Sequence, residues 1–427
     1  MKIFLFLLFF FFSSLFATNI QLIKKENSDS NTTLLVIGGI HGNEPGGYFA
    51  PAILATHYKI LSKNLWIVPN LNKDSIIANK RGINGDMNRK FSYIKKNDKD
   101  KKIVEEIKKI ILDKKVSLVL NLHDGHGFYR KDYQGTVFNP NAWGQTCVID
   151  QCKLNKNQPF GNLDKIALTV KEKINKKLLK QHHIFNVKNT KTKYDDEAMQ
   201  LSLTYFAVTN NKPAFAIETS KYLSSLSQKV FYQLLAIEEF MNIVGIKYKR
   251  DFKLNIKNIS KLVKQYGNVV INGNIVLDLT NIKSSLSYIP LKCRDNIFKF
   301  TNPLGVVKKS GKNFSIYVGN KKITTLKPQC FKQSKYCLKQ IQVIVDGKKM
   351  SVKATSDIYV NKNFIIKKYK GIRVNVIGYP SKKDESGVKI TKKLLDKRFS
   401  VDRNGKVYRV EFYKNDKFCS MLMVHFR

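Results

Sequence analysis

Several things are scarce in this chain. Past residue 17 there is no apolar run approaching the roughly 20 residues that carry a helix across a bilayer, so a later helical membrane span is excluded. Acidic residues are few: 32 Asp and Glu stand against 76 Lys and Arg, a formal charge of +44. A field of that size concentrates anionic partners. Zinc-finger, RNA-recognition and helix-turn-helix signatures are missing, so nucleic acid is not the expected partner. An anionic cell wall or an acidic peptide fits better, although a chain so rich in Lys, Asn, Ile and Phe carries much of its charge simply as solvated surface. No two cysteines have CxxC spacing, which argues against a zinc knuckle. Repeats and low-complexity segments do not stand out.

Six cysteines occur, at 147, 152, 293, 330, 337 and 419. An even number suits an oxidising compartment. Cys147 with Cys152 and Cys330 with Cys337 would each close a short loop, leaving Cys293 and Cys419 paired or free. Sequence does not fix the connectivity.

A length of 427 residues exceeds one ordinary core and implies two or three domains. MKIFLFLLFFFFSSLFA, residues 1–17, has a basic start, an apolar block and small residues at its end, the outline of a secretory signal peptide. The mature protein is therefore expected in the periplasm. From residue 18 to 249 short apolar runs alternate with longer amphipathic ones. TLLVIGG, NLWIVPNLN, VSLVLNLHDG and PAFAIETS read as buried strands. KKIVEEIKKIILDKK, NLDKIALTVKEKINKKLLK and VFYQLLAIEEFMNIVGI read as helices. The alternation predicts an α/β fold, a mostly parallel mixed sheet with helices on both faces. The segment 127–162 shows no clear period and is expected to be an irregular loop region. After residue 250 the dipeptides NG at 272–273, GN at 319–320, DG at 346–347 and NG at 404–405, flanked by alternating apolar residues, signal hairpins. Two small all-β domains are expected, a barrel-like one over 250–340 and a sandwich over 341–427.

In an open α/β sheet, ligands bind beyond the carboxyl ends of the strands. TLLVIGG runs into His41 and Glu44, VSLVLNL into His123, and PAFAI into Glu218. Two imidazoles and one carboxylate from separate strands make a three-ligand zinc site with a fourth position open, the form hydrolytic enzymes use. One Zn2+ held by His41, Glu44 and His123 is expected, with Gly38, Gly39 and Gly42 permitting the turns around it. Glu218 is expected to take a proton from the attacking water and return it to the leaving amine. RGINGDMNRKF, residues 81–91, supplies the remaining parts. Arg89 is suited to clamp a terminal carboxylate through two parallel hydrogen bonds, and Arg81 to face a developing oxyanion. A carboxylate clamp beside a hydrolytic zinc describes an exopeptidase.

These residues resemble the zinc carboxypeptidase A superfamily, whose pattern is HxxE, an Asn-Arg pair, a lone His and a late Glu. His41 to Glu44, Asp86-Met-Asn88-Arg89, His123 and Glu218 follow it in order. The resemblance implies that Asn88 and Arg89 bind the substrate carboxylate, Arg81 polarises the scissile carbonyl and Glu218 is the acid/base. The export segment and the all-β second half further resemble the peptidoglycan DL-carboxypeptidases of helical Gram-negative bacteria. That likeness implies a cell-shape enzyme cutting the muramyl tripeptide L-Ala-γ-D-Glu-meso-diaminopimelate to a dipeptide. Peptidoglycan muropeptides would be its partners, and the β domains are candidates to contact the wall or other shape proteins.

Two other readings compete with this one. Acylases of the aspartoacylase and succinylglutamate desuccinylase type share HGNE and the pattern of DMNRKF, but they are intracellular. A wall-binding scaffold with a vestigial site does not need the apparently intact ligand set. A serine mechanism is not expected either. Ser92-Tyr-Ile-Lys95 matches SxxK and Lys309-Ser-Gly311 loosely resembles KTG, yet no SDN accompanies them and lysine-rich chains produce such matches by chance. His126 lies past the strand end, His57, His182, His183 and His425 read as structural, and Asp124 is either an orienting group for a ligand histidine or a plain turn residue.

Overall fold

The computed structural model describes residues 20–27, 30–155, 158–334, 337–381 and 384–427. The signal segment expected over 1–17 lies outside them. No helix among the described residues is long and apolar enough to cross a membrane.

The first half is built on a seven-stranded sheet. Its strands are β1 (Ile23–Lys25), β2 (Thr33–Ile37), β3 (Asn64–Val68), β4 (Val116–Gly125), β5 (Thr146–Ile149), β6 (Asn186–Asn189) and β7 (Ala214–Ser220), in the spatial order β1-β3-β2-β4-β7-β5-β6. The central four run parallel, β3 with β2, β2 with β4 and β4 with β7, whereas β1 and β5 join antiparallel. Every residue of β2 and β3 is buried. Successive side chains point to opposite faces, so burial at every position means that both faces are covered.

The covering helices are α1 (Pro45–His57), α2 (Lys101–Leu112), α3 (Leu163–Asn175) and α4 (Leu226–Val244). In α2 the buried residues Val104, Ile107 and Ile111 recur at helical spacing and make one apolar stripe. Helix α1 packs on α4 and on β4. It was not legible as a helix. Gly46, Gly47 and the internal Pro51 weaken its local propensity, and with ten buried residues in thirteen it has no polar face to give a period. Strand β5 corrects the expectation of a loop over 127–162. Its four residues TCVI are all buried and pair with β7 and β6, a run too short to stand out by pattern.

The second half is all-β. A three-stranded and a four-stranded sheet occupy residues 268–330, and two four-stranded sheets occupy 340–426. The hairpins at 272–273, 319–320 and 346–347 form where their turn residues adopt positive φ, as at Asn272 and Gly273. The fourth differs. Asn404-Gly405 sits in a tight loop whose Asp402 carboxylate accepts the N–H groups of Asn404, Lys406 and Val407. The last hairpin instead turns at Asn415-Asp416. Cysteine pairing is also decided here: Cys293 bonds Cys330 and Cys337 bonds Cys419, leaving Cys147 buried and Cys152 exposed as thiols. Neither short loop closes, because partners distant in sequence are adjacent across the β-sheets.

Candidate active site

His41, Glu44, His123 and Glu218 lie at the carboxyl edge of the parallel strands. The loop after β2 carries His41 and Glu44, and Glu44 is the residue at which α1 begins. This loop needs its glycines. Gly39 has φ +73°, and a Cβ on Gly42 would lie 1.9 Å from the Ser75 carbonyl oxygen. His123 is in β4, and Glu218 lies beside it in β7 in direct parallel register. Gln233 of α4 ties these two strands from behind, donating to the carbonyls of His123 at 2.7 Å and Ile217 at 3.3 Å.

The three expected ligands converge. His41 Nδ1 lies 3.1 Å from Glu44 Oε2, His123 Nδ1 lies 3.0 Å from the same oxygen, and the two Nδ1 atoms are 3.3 Å apart. All three residues are buried, and together they form a group able to hold a metal ion. A tetrahedral ion with bonds of about 2.0–2.1 Å sets its ligand atoms about 3.3 Å apart. The triangle therefore has the size of one face of such a tetrahedron, and the residues fit the ion.

Asp86 orients the set. Its Oδ1 meets His41 Nε2 at 2.8 Å and its Oδ2 accepts from Arg81 Nε at 2.9 Å. A carboxylate on the far ring nitrogen directs the other nitrogen to a metal. The sequence offers Asp124 for that task, but the structure puts Asp86 there. Asp124 in fact supports Glu44. Its backbone N–H donates to Glu44 Oε2 at 3.2 Å, and its carboxylate accepts from Gly46 N at the start of α1 and from the Thr219 hydroxyl. Burial raises the Asp124 pKa to about 6.

Electrostatics point the same way. Burial alone would depress His41, but the Glu44 charge and the Asp86 hydrogen bond outweigh it and raise its pKa to about 9. Glu44, though buried, is held well below the usual carboxylate range, chiefly by His41. Burial lowers His123, favouring the neutral imidazole that ligates metals. Glu44 and Asp86 thus favour a positive charge at the His41 ring, the place where a bound cation would stand. Glu218 is pushed well above the normal range, first by burial and then by the Glu44 charge. A divalent ion beside it acts in the opposite direction.

The arginine loop lies alongside. Arg81 Nη1 is 3.3 Å from Glu44 Oε1. Asn88 is buried, and its amide oxygen accepts from Leu203 N at 2.9 Å, leaving its NH2 free to donate elsewhere. The Arg89 guanidinium bonds the Asn88 carbonyl at 3.0 Å and makes no ion pair among the described residues. Lys221, which sequence reasoning missed, approaches Glu44 Oε1 at 3.4 Å. No local pattern marks it, since it is one lysine among many. His126 is exposed and outside the cluster. His57 pairs with Asp251, His183 with Tyr232 and His425 with Asp357, while His182 packs edge-on against Phe128.

An α/β sheet with a two-histidine, one-carboxylate centre at its carboxyl edge and unpaired arginine beside it defines the class: a metallo-carboxypeptidase. Residues 1–264 match the family described as carboxypeptidase controlling helical cell shape, catalytic, and residues 334–427 match the C-terminal domain of metallo-carboxypeptidase. Among solved structures the chain is similar to the cell shape determinant protein Csd4 from Helicobacter pylori. The product-bound and tripeptide-bound forms each share 35% identity, cover 96% of this chain and 100% of theirs, and give TM-scores of 0.88. The mDAP-bound form, described as a D,L-carboxypeptidase, shares 36% identity, covers 95% of this chain and 100% of its own, and has a TM-score of 0.88. A search of curated proteins returned no match. The chain belongs to the metallo-carboxypeptidase family that controls helical cell shape.

Proposed function

We propose that the protein is a zinc DL-carboxypeptidase of the periplasm that removes meso-diaminopimelate from the stem tripeptide L-Ala-γ-D-Glu-meso-diaminopimelate. The single observation that carries this reading is the pairing of the His41–Glu44–His123 triangle with an Arg89 guanidinium that has no acidic partner. A substrate whose last residue ends in a carboxylate supplies that partner. The tripeptide and mDAP bound by the Helicobacter protein support the substrate class.

Zinc is favoured by the borderline-soft donor set and by the tetrahedral spacing. When bound, it would polarise the scissile carbonyl and the attacking water. The protein's own groups do the rest. Arg89 and the Asn88 NH2 hold the terminal carboxylate and place the last peptide bond beside the ligand triangle. Glu218, with its raised pKa, accepts the water's proton and delivers it to the departing amine. Arg81 faces the carbonyl oxygen as it gains charge. The division at residues 249 and 340, the signal role of residues 1–17 and wall contact through the β domains complete the proposal.

Digestion of purified muropeptides, read by mass spectrometry with and without a chelator, tests it. The expected result is loss of one diaminopimelate from tripeptides, abolished by chelation and restored by zinc. Protein that bound wall sacculi yet released no amino acid with zinc supplied would overturn it.

A further inference from the structure

Lys221 is the residue the mechanism above leaves without a task. It follows β7 directly, and its backbone N–H donates to the Gly125 carbonyl at 2.7 Å, so its position between the ends of β4 and β7 is fixed. Its side chain is one-third exposed and reaches back to Glu44 Oε1 at 3.4 Å, a long contact. Arg81 shares that oxygen but also holds Asp86 at 2.9 Å. Lys221 has no other ion pair among the described residues. Once a divalent ion draws on the charge of Glu44, the ammonium beside it stands next to net positive charge and needs a new anion.

The topology says where that anion comes from. The arginine loop approaches the site from beyond β3 and Lys221 from β7, on opposite flanks of β2 and β4. A peptide whose terminal carboxylate is on Arg89, with its scissile bond at the ligand triangle, carries its preceding residue toward the β7 flank. Lys188 is another nearby cation and feels the charge of Glu218, on which Lys221 also acts. Its ammonium is already bonded to the carbonyls of Pro140 at 2.9 Å and Ala142 at 3.1 Å, over the Tyr129 and Trp143 rings. Lys221 is the cation free to turn.

We infer that Lys221 is a specificity-determining residue whose ammonium pairs with a free carboxylate on the residue before the scissile bond. The inference rests on the functional reading above. In the γ-linked tripeptide this group is the α-carboxylate of D-Glu, so the enzyme prefers acidic stem peptides over those amidated at that position.

Two synthetic peptides test this, the tripeptide and its D-isoglutamine α-amide, each with the zinc-loaded protein and its Lys221→Gln variant. A charge-assisted hydrogen bond lost from a partly buried site corresponds to about tenfold or more in affinity. The wild type should favour the acidic peptide by that factor in kcat/KM. Lys221→Gln should lose the preference by slowing only on the acidic peptide, with metal content unchanged, and Lys221→Arg should restore part of it. Calorimetric binding of both peptides to Glu218→Gln protein, with and without Lys221→Gln, should show the same difference. Equal losses on both peptides, no loss on either, or loss of metal in Lys221→Gln would each overturn the inference. Failure of the wild type to cleave either peptide would instead remove the functional reading, and the binding difference would still decide the role of Lys221.

Discussion

At the scale of the residue, the proposed mechanism separates groups that would hold the ion from groups that would use it. Asp86 touches His41 Nε2 and no reacting atom has to pass it. Asp86→Asn should therefore weaken metal binding about 10- to 100-fold, the usual effect of losing a carboxylate behind a ligand histidine, measured by competition with a chromogenic chelator. Glu218 lies outside the His41–Glu44–His123 ligand group. Glu218→Gln should keep its metal-binding capacity while turnover falls by about 10²–10⁴, and loss of metal in this variant would show that its role is assigned wrongly. His41, Glu44, His123 and Glu218 were legible because strand runs ended on them. Asp86 appeared only as part of a motif, and Lys221 not at all. What makes those two important is proximity between loops distant in sequence, which no spacing records.

At the scale of the element, the loop between β2 and α1 is the most constrained piece of chain. Its Gly42 abuts the backbone of Ser75, and the next helix begins at Glu44. Backbone cannot yield as a flexible side chain does. Gly42→Ala should therefore cost about 1–3 kcal/mol, seen as a lower Tm, and should reduce metal occupancy because His41 lies one residue before it. The four central strands were readable from their continuous apolar runs, and α2, α3 and α4 from their length and period. Helix α1 and strand β5 were not. The first is buried on all sides and interrupted by Gly and Pro, and the second is four residues long. In both, packing against neighbours outweighs local preference.

At the scale of the whole molecule, the halves are not independent beads. One continuous apolar core runs from Ile20 through the catalytic sheet into the β region as far as Met423, and a second fills the last two sheets. The hairpin at Gly319 sits against Tyr48 and Phe49 of α1, and Asn70, from the loop after β3, donates to the Pro303 carbonyl at 2.9 Å. A chain ending at residue 264 would expose this apolar contact beside the metal loop. It should melt at lower temperature than the full chain and self-associate, as measured by differential scanning fluorimetry and size-exclusion chromatography. A monomer of unchanged Tm would show that the β region only rides on the catalytic unit.

Sequence alone determined the four central strands, where they end, and which imidazoles and carboxylates those ends present, because burial on both faces writes itself as unbroken apolar runs. Tertiary structure alone decided that three ligand atoms close to within 3.3 Å, that Cys293 finds Cys330 and Cys337 finds Cys419, and that Asp86 and Lys221 belong to the site. Those facts depend on distances between segments far apart along the chain, set by how sheets and helices pack.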